Sequence, residues 1–207
     1  MTITIKDFNQ KRRNRAIAIT NIAINKVPRT HLQGFTEEQN KFIQQKHMEL
    51  LLLAQRLNAL YNTNKMEVGI LIDVHTWETW TIEGTECEVE MKKNPLALQN
   101  LTSGTPNSKM FMHNHPSTGT FSGEDFRTFC NNRTLYFITV IGNDGTVYIL
   151  MKEHDFNASF ALAEYNRLAN YYLKQGHILN NGTLAMKYIL KNAQRYHLIY
   201  KKGKHKV

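Results

Sequence analysis

Lys109-Met-Phe-Met-His113-Asn-His115-Pro116-Ser-Thr-Gly-Thr-Phe-Ser122-Gly-Glu-Asp125 is the stretch around which the rest of the sequence arranges itself. The segment Lys109–His115 is centred on apolar Met-Phe-Met and predicts a strand, which Pro116 ends because it offers no N–H to a ladder. Side chains alternate between the two faces of a strand, so His113 and His115 share one face. The Ser-Thr-Gly-Thr run after the proline predicts a loop. Ser122-Gly-Glu-Asp125 has the form of an N-cap and first helical turn. It predicts a short helix ending near Cys130, with Asp125 turned toward the histidines. Two imidazole nitrogens and one carboxylate oxygen are a zinc-type ligand set. Three protein ligands leave a fourth tetrahedral position open, as in catalytic rather than structural sites.

Outward from this stretch, the pattern alternates between helices and strands. Thr36-Glu-Glu-Gln39 is a capping box ahead of a long helix whose stripe contains Phe42, Ile43, Met48, Leu51, Leu52, Leu57 and Leu60; Asn62-Thr-Asn64 ends it. Strands are predicted at Val68–Val74, at Thr76–Ile82 with Trp77 and Trp80, and at Thr85–Met91, the last acidic on one face. A short helix covers 94–101. After the histidine strand and its helix, Thr134–Ile141 and Thr146–Met151 form a hairpin around Gly142-Asn-Asp-Gly145. Helices follow over Asp155–Gln175 and from Thr183 to about His197, and Lys201–Lys206 reads as a disordered basic tail. The Ala16–Ile24 run fits either a strand or an apolar helix. This order predicts an α+β fold with a curved, largely antiparallel sheet flanked by helices and a C-terminal helical extension.

Charge divides the chain in three. Residues 1–35 carry a net +6, residues 36–154 a net −4 and residues 155–207 a net +7, for a total of +9. The corresponding division is a basic N-terminal extension (1–35), a catalytic domain (36–153) and a C-terminal helical extension with a basic tail (154–207). Basic flanks predict either a polyanionic partner, nucleic acid included, or simply solvated ends. No apolar run approaches the roughly 20 residues that span a bilayer, and the N-terminus lacks a signal-peptide pattern, so the expectation is a cytoplasmic protein without membrane contact. Cys87 and Cys130 form no CxxC pair, which predicts reduced, structural thiols. The other seven histidines form no cluster comparable to His113 and His115.

The His-Asn-His-Pro-Ser segment with its following Ser and Asp resembles the JAMM motif of the MPN+ (JAB) metallopeptidases, closest to the RadC-like branch and the JAB domains of phages and mobile elements. The resemblance covers roughly residues 36–153 and neither flank. That family's pattern has an upstream Glu, then His-x-His, seven residues, Ser, two residues and Asp. Here six residues separate His115 from Ser122, which sets Asp125 against its neighbour Glu124 for the third ligand position. The resemblance implies a JAB/MPN-like fold with cytidine-deaminase-like layering, zinc held by His113, His115 and Asp125, Glu67 as general base and Ser122 as oxyanion donor. It implies hydrolysis of a peptide or isopeptide bond in a protein substrate, such as a ubiquitin-like conjugate or a C-terminally extended precursor. Two other readings share the motif: a RadC-like nucleic-acid-associated protein, and an assembly or processing factor of a phage or mobile element.

Overall fold

The computed structural model describes residues 15–86 and 88–203. Its elements are α1 (Asn21–Asn25), α2 (Glu37–Leu60), β1 (Val68–Asp73), β2 (Thr79–Glu83), α3 (Pro95–Ser103), β3 (Lys109–His115), α4 (Gly123–Asn131), β4 (Leu135–Gly142), β5 (Val147–Lys152), α5 (Ala158–Lys174), α6 (Asn181–Lys191) and β6 (Leu198–Gly203). Single-turn 3₁₀ segments precede α3 and β6. The strands form one six-stranded sheet in the order β2-β1-β3-β4-β5-β6. Every neighbouring pair is antiparallel except β3 and β4. The fold is therefore α+β with a mixed sheet flanked by helices.

Strand alternation sorts the core into two layers. Leu71, Phe111, Ile138, Val140 and Leu150 face α3, α4, α5 and α6, whose contributions include Leu101, Phe126, Phe129, Tyr165 and Ile189. On the opposite face, Val68, Ile70, Met110, Met112 and Ile149 pack against Ile43, Leu50, Leu51 and Ala54 of α2, with Ile19, Ile24 and Val27 from the segment before it. Both flanks thus contribute apolar side chains to the cores of the sheet.

Helix α2 begins with the predicted capping box: Thr36 Oγ1 accepts from Gln39 N–H at 3.3 Å and Gln39 Oε1 accepts from Thr36 N–H at 2.8 Å. Such caps contribute about 1 kcal/mol by satisfying donors that have no intrahelical partner. Of the Ala16–Ile24 run, 16–20 take no regular structure and 21–24 fall in the short helix α1, capped by Thr20, whose Oγ1 accepts from Ala23 N–H.

Three local expectations are corrected. Trp77 lies in the turn before β2 at φ 64° and packs edge-on against Phe35 and Phe42, whereas Trp80 belongs to β2 and the other core layer. The described residues of 85–91 form no strand; the chain turns back there with one isolated bridge, Gly84 to Val89. A Cβ on Gly84 would lie 2.1 Å from the Glu88 carbonyl oxygen, so the chain folds back too closely for a ladder to extend. Lys201–Gly203, read as tail, belong to β6, which pairs along β5 from Lys152↔Leu198 to Val147↔Gly203. The first half of that strand, Leu198-Ile-Tyr, supplies the apolar positions that a tail would lack.

In the β4–β5 turn only Gly145 takes a positive φ (82°), and its N–H closes onto Gly142 O at 2.8 Å. The connection is a three-residue loop, Asn143-Asp-Gly145, closed by the Gly142 N–H to Thr146 O bond at 2.9 Å, rather than a two-residue primed turn. No helix among the described residues is long and apolar enough to cross a membrane.

His47, on the inner face of α2, is fully buried, with Nε2 2.8 Å from Thr139 Oγ1. Burial lowers its pKa from 6.5 to about 4, only partly countered by a backbone hydrogen bond at Ile43. Because the folded-state pKa lies below the unfolded value, the unfolded chain binds the extra proton first. The associated stability is complete above pH 6.5 and is lost as pH falls toward 4, on the order of 3 kcal/mol in all. Urea unfolding of the His47→Leu variant is expected to show a much flatter stability profile between pH 6.5 and 4 than the wild type. An unchanged slope would assign that pH dependence to other groups.

Candidate metal centre

The β3-α4-β4 crossover builds the site. Parallel strands cannot be joined by a tight turn, so after β3 ends the chain must cross one face of the sheet before β4 begins. The crossing element is α4, and its first turn therefore lies beside the C-terminal end of β3, where His113 and His115 project. Ser122 caps α4 through the reciprocal pair Asp125 N–H to Ser122 Oγ (3.1 Å) and Ser122 N–H to Asp125 Oδ2 (2.6 Å). The cap fixes the Asp125 carboxylate at the helix start. Glu124, the alternative ligand, is 79% exposed and pairs with Arg127 at 3.1 Å.

Distances within the cluster are short enough for the three side chains to share one ion. His113 Nε2 lies 3.2 Å from His115 Nε2 and 2.9 Å from Asp125 Oδ1, and His115 Nε2 lies 3.3 Å from Asp125 Oδ2. With bonds of about 2.0–2.1 Å, the edges of a tetrahedral zinc site are about 3.3 Å. One atom from each residue lies within 4.8 Å of the other two, so the three can hold a single metal ion. His113 is buried and its ring stacks on Phe111 at 5.3 Å and 15°, which fixes its orientation. Its Nδ1 has no hydrogen-bond partner among the described residues.

Charge in the cluster is mutually supporting. Burial alone would raise the Asp125 pKa, but the two imidazoles outweigh it and hold the carboxyl well below the usual range. Burial pushes His115 down, yet the charges of Asp125 and Glu67, with hydrogen bonds to Asp125 and the Gly119 backbone, raise it overall.

Glu67 lies on the same face as the histidines. Gly69 is the antiparallel partner of His113, and Glu67, two residues before it, lines the same cleft as His113 and His115. Its backbone is fixed on the other side, where Glu67 N–H donates to Thr85 O at 2.9 Å and Gly84 N–H to Glu67 O at 3.1 Å. Burial raises the pKa of its carboxyl, the nearby imidazoles only partly opposing the shift. Glu67, Ser122 and the three ligands all line a cleft of about 930 Å³, whose other wall includes Thr183 and Lys187 of α6 and Tyr200 and Lys202 of β6.

Sequence reasoning did not find the residues that support these five. Tyr165 of α5 places its hydroxyl under the start of α4, so that a Cβ on Gly123 would lie 1.9 Å from it. Phe126 meets the same tyrosine ring at 5.7 Å. The helical periodicity of 158–174 marks Tyr165 as a core residue, but nothing in it points to α4. Asn114 and Asn143 are likewise fully buried beneath the site. Cys130 is buried and free, its thiol pushed up to about 12, which leaves it chemically inert; Cys87 lies outside the described residues. Compared with protein-family models, curated proteins and solved structures, the chain matches none.

The purified chain is expected to bind one divalent transition-metal ion, measurable by elemental analysis and by chelator competition. Free metal at 100 times its Kd adds about 2.7 kcal/mol of stability. That corresponds to a rise in Tm of roughly 5–10 °C at this chain length. His113→Ala and Asp125→Ala should each abolish both the bound metal and the rise. Retention of stoichiometric metal by His113→Ala would move the site elsewhere.

Proposed function

We propose that this protein is a zinc-dependent amide hydrolase of the JAMM type, a metallopeptidase or isopeptidase acting on a protein substrate. The observation that carries this reading is the placement of a partly buried carboxylate, Glu67, in the same cleft as a compact His-His-Asp group able to hold one ion. The two-nitrogen, one-oxygen set is a borderline-soft donor set of the kind zinc accepts, and it leaves room for a non-protein ligand. Zinc held there by His113, His115 and Asp125 would supply Lewis acidity for the hydrolysis.

The chain's own groups divide the remaining work. Glu67, its basicity raised by burial, accepts the proton of the attacking water at a carboxylate oxygen and returns it to the leaving nitrogen. Ser122 Oγ accepts from the Asp125 N–H, which leaves its own hydrogen available to donate to a developing oxyanion. His113, His115 and Asp125 hold the ion, and the stacking of His113 on Phe111 keeps the set aligned.

The chemistry of the cleft favours a peptide over a polynucleotide. Glu67, Glu88, Glu124, Asp125 and Asp144 all line it against two lysines, so even with a divalent ion bound the lining lacks the basic excess that a phosphate backbone requires. Nucleic-acid binding by the basic flanks is the competing reading. It predicts association that weakens steeply with salt and leaves amide bonds intact.

Hydrolysis by the zinc-loaded chain is tested on a panel of fluorogenic peptide and Nε-acyl-lysine isopeptide probes, including a ubiquitin-like C-terminal tail. Glu67→Gln is expected to retain one zinc per chain and lose at least 100-fold in kcat, and Ser122→Ala to lose about 10- to 100-fold. Undiminished turnover in Glu67→Gln would remove the carboxylate from the reaction.

A further inference from the structure

Between the two histidines stands a residue whose side chain points the other way. Asn114 is fully buried beneath the sheet face that carries the ligands. Its Oδ1 accepts from Val68 N–H at 2.8 Å, and its Nδ2 donates to Met66 O at 3.0 Å. These two groups bracket Glu67. The regular β1–β3 ladder ends at Gly69↔His113, so the asparagine amide supplies the next cross-link between the strands in place of backbone. Glu67 N–H and O are meanwhile held by Thr85 and Gly84. All four backbone polar groups from Met66 O to Val68 N are therefore engaged, two by one side chain of the ligand strand.

A second asparagine anchors the first. Asn114 Nδ2 also donates to Asn143 Oδ1 at 3.2 Å, and Asn143 N–H faces both His115 O (3.1 Å) and Ser117 O (3.3 Å), the carbonyls around the strand end. Asn143 Nδ2 reaches Ile17 O at 2.8 Å, and Ile17 N–H donates to Pro116 O at 2.9 Å. Both asparagines are fully buried, and apart from the bond between them their amides are directed at main chain. A buried polar side chain costs free energy unless fully paired, and here the pairing joins the ligand strand to the backbone that carries Glu67.

We propose that Asn114 is a positioning residue that fixes the Glu67 carboxylate at its working distance from the His113–His115–Asp125 centre by clamping the two peptide units around Glu67. Without it, Glu67 would be held only from the Gly84–Thr85 side and not tied to the strand that carries the histidines. The amide makes its distance a property of β3, the same strand that holds the histidines. The inference rests on the assignment of Glu67 as the proton-transfer group, and its test separates the two.

The zinc-loaded full-length chain is compared with Asn114→Ala, Asn114→Ser, Glu67→Gln and the Glu67→Gln/Asn114→Ala double variant. Asn114→Ala should bind zinc with a Kd within about threefold of wild type, because it touches no ligand atom. Hydrogen exchange at the Val68 amide should accelerate at least 100-fold, and kcat on the amide probes should fall about 100-fold with KM unchanged. Added to Glu67→Gln, the same substitution should cost less than a further twofold, since groups that act as a unit are not additive. Loss of zinc affinity in step with activity would overturn the proposal, as would an undiminished kcat or a full further loss in the Glu67→Gln background. Should Asn114→Ala fail to fold, Asn114→Ser is read in the same way. The wild type supplies an independent check, because Val68 must rank among the slowest-exchanging amides; fast exchange there excludes the clamp. If Glu67→Gln leaves turnover intact, the assignment of the base fails, while Val68 exchange still reports on the clamp itself.

Discussion

A parallel pair of strands needs a crossover, and in this protein that requirement makes the site. β3 and β4 are the one parallel pair of the sheet, and the segment joining them must leave the end of β3 and return across the sheet face. His113 and His115 are at that end, and the returning element is α4, with Asp125 in its first turn. An antiparallel continuation would have sent the chain straight into a hairpin, without a helix terminus beside the imidazoles. The rest of the architecture serves this juxtaposition: β1 brings Glu67 alongside, α5 supports α4 through Tyr165, and α6 and β6 form the opposite wall of the cleft.

The two faces of β3 have opposite chemistry and a common purpose. One face carries imidazoles whose mutual distances fit a single ion; the other carries an asparagine whose amide fits the backbone of the neighbouring strand. Both are polar groups removed from water, and each is tolerable only because its partners are prearranged. Geometry at the ligands and geometry at Glu67 are thereby referred to one short strand. If Glu67 has the proposed proton-transfer role, such a support bears on rate directly, since misplacement by about 1 Å can cost a hundredfold.

Much of the local structure was legible. The histidine strand, the Ser122 cap, the Thr36 capping box and the Asp-Gly hairpin all rest on interactions within about four residues, and their sequence signatures carry the physics directly. Where reading failed, a distant partner decided. Residues 85–91 have the composition of a strand, yet Gly84 draws the chain back against Glu88 and Glu67. Trp77 is pulled from the strand into an aromatic contact with Phe35 and Phe42. Lys201–Gly203 look like a tail but find an open edge on β5.

The sequence by itself determined the ligand types, their alternation onto one face and the capped helix that carries Asp125, because strand period and N-cap chemistry are local. Only the tertiary structure decided that Glu67 shares a cleft with the histidines, that Glu124 turns away to Arg127, that Tyr165 supports the helix carrying Asp125 and that Asn114 holds the peptides around Glu67. Those relations depend on the register between strands 46 residues apart and on helices that follow much later in the chain. No local spacing encodes such contacts; they arise when both apolar faces of the sheet are covered and the polar groups left inside must find one another.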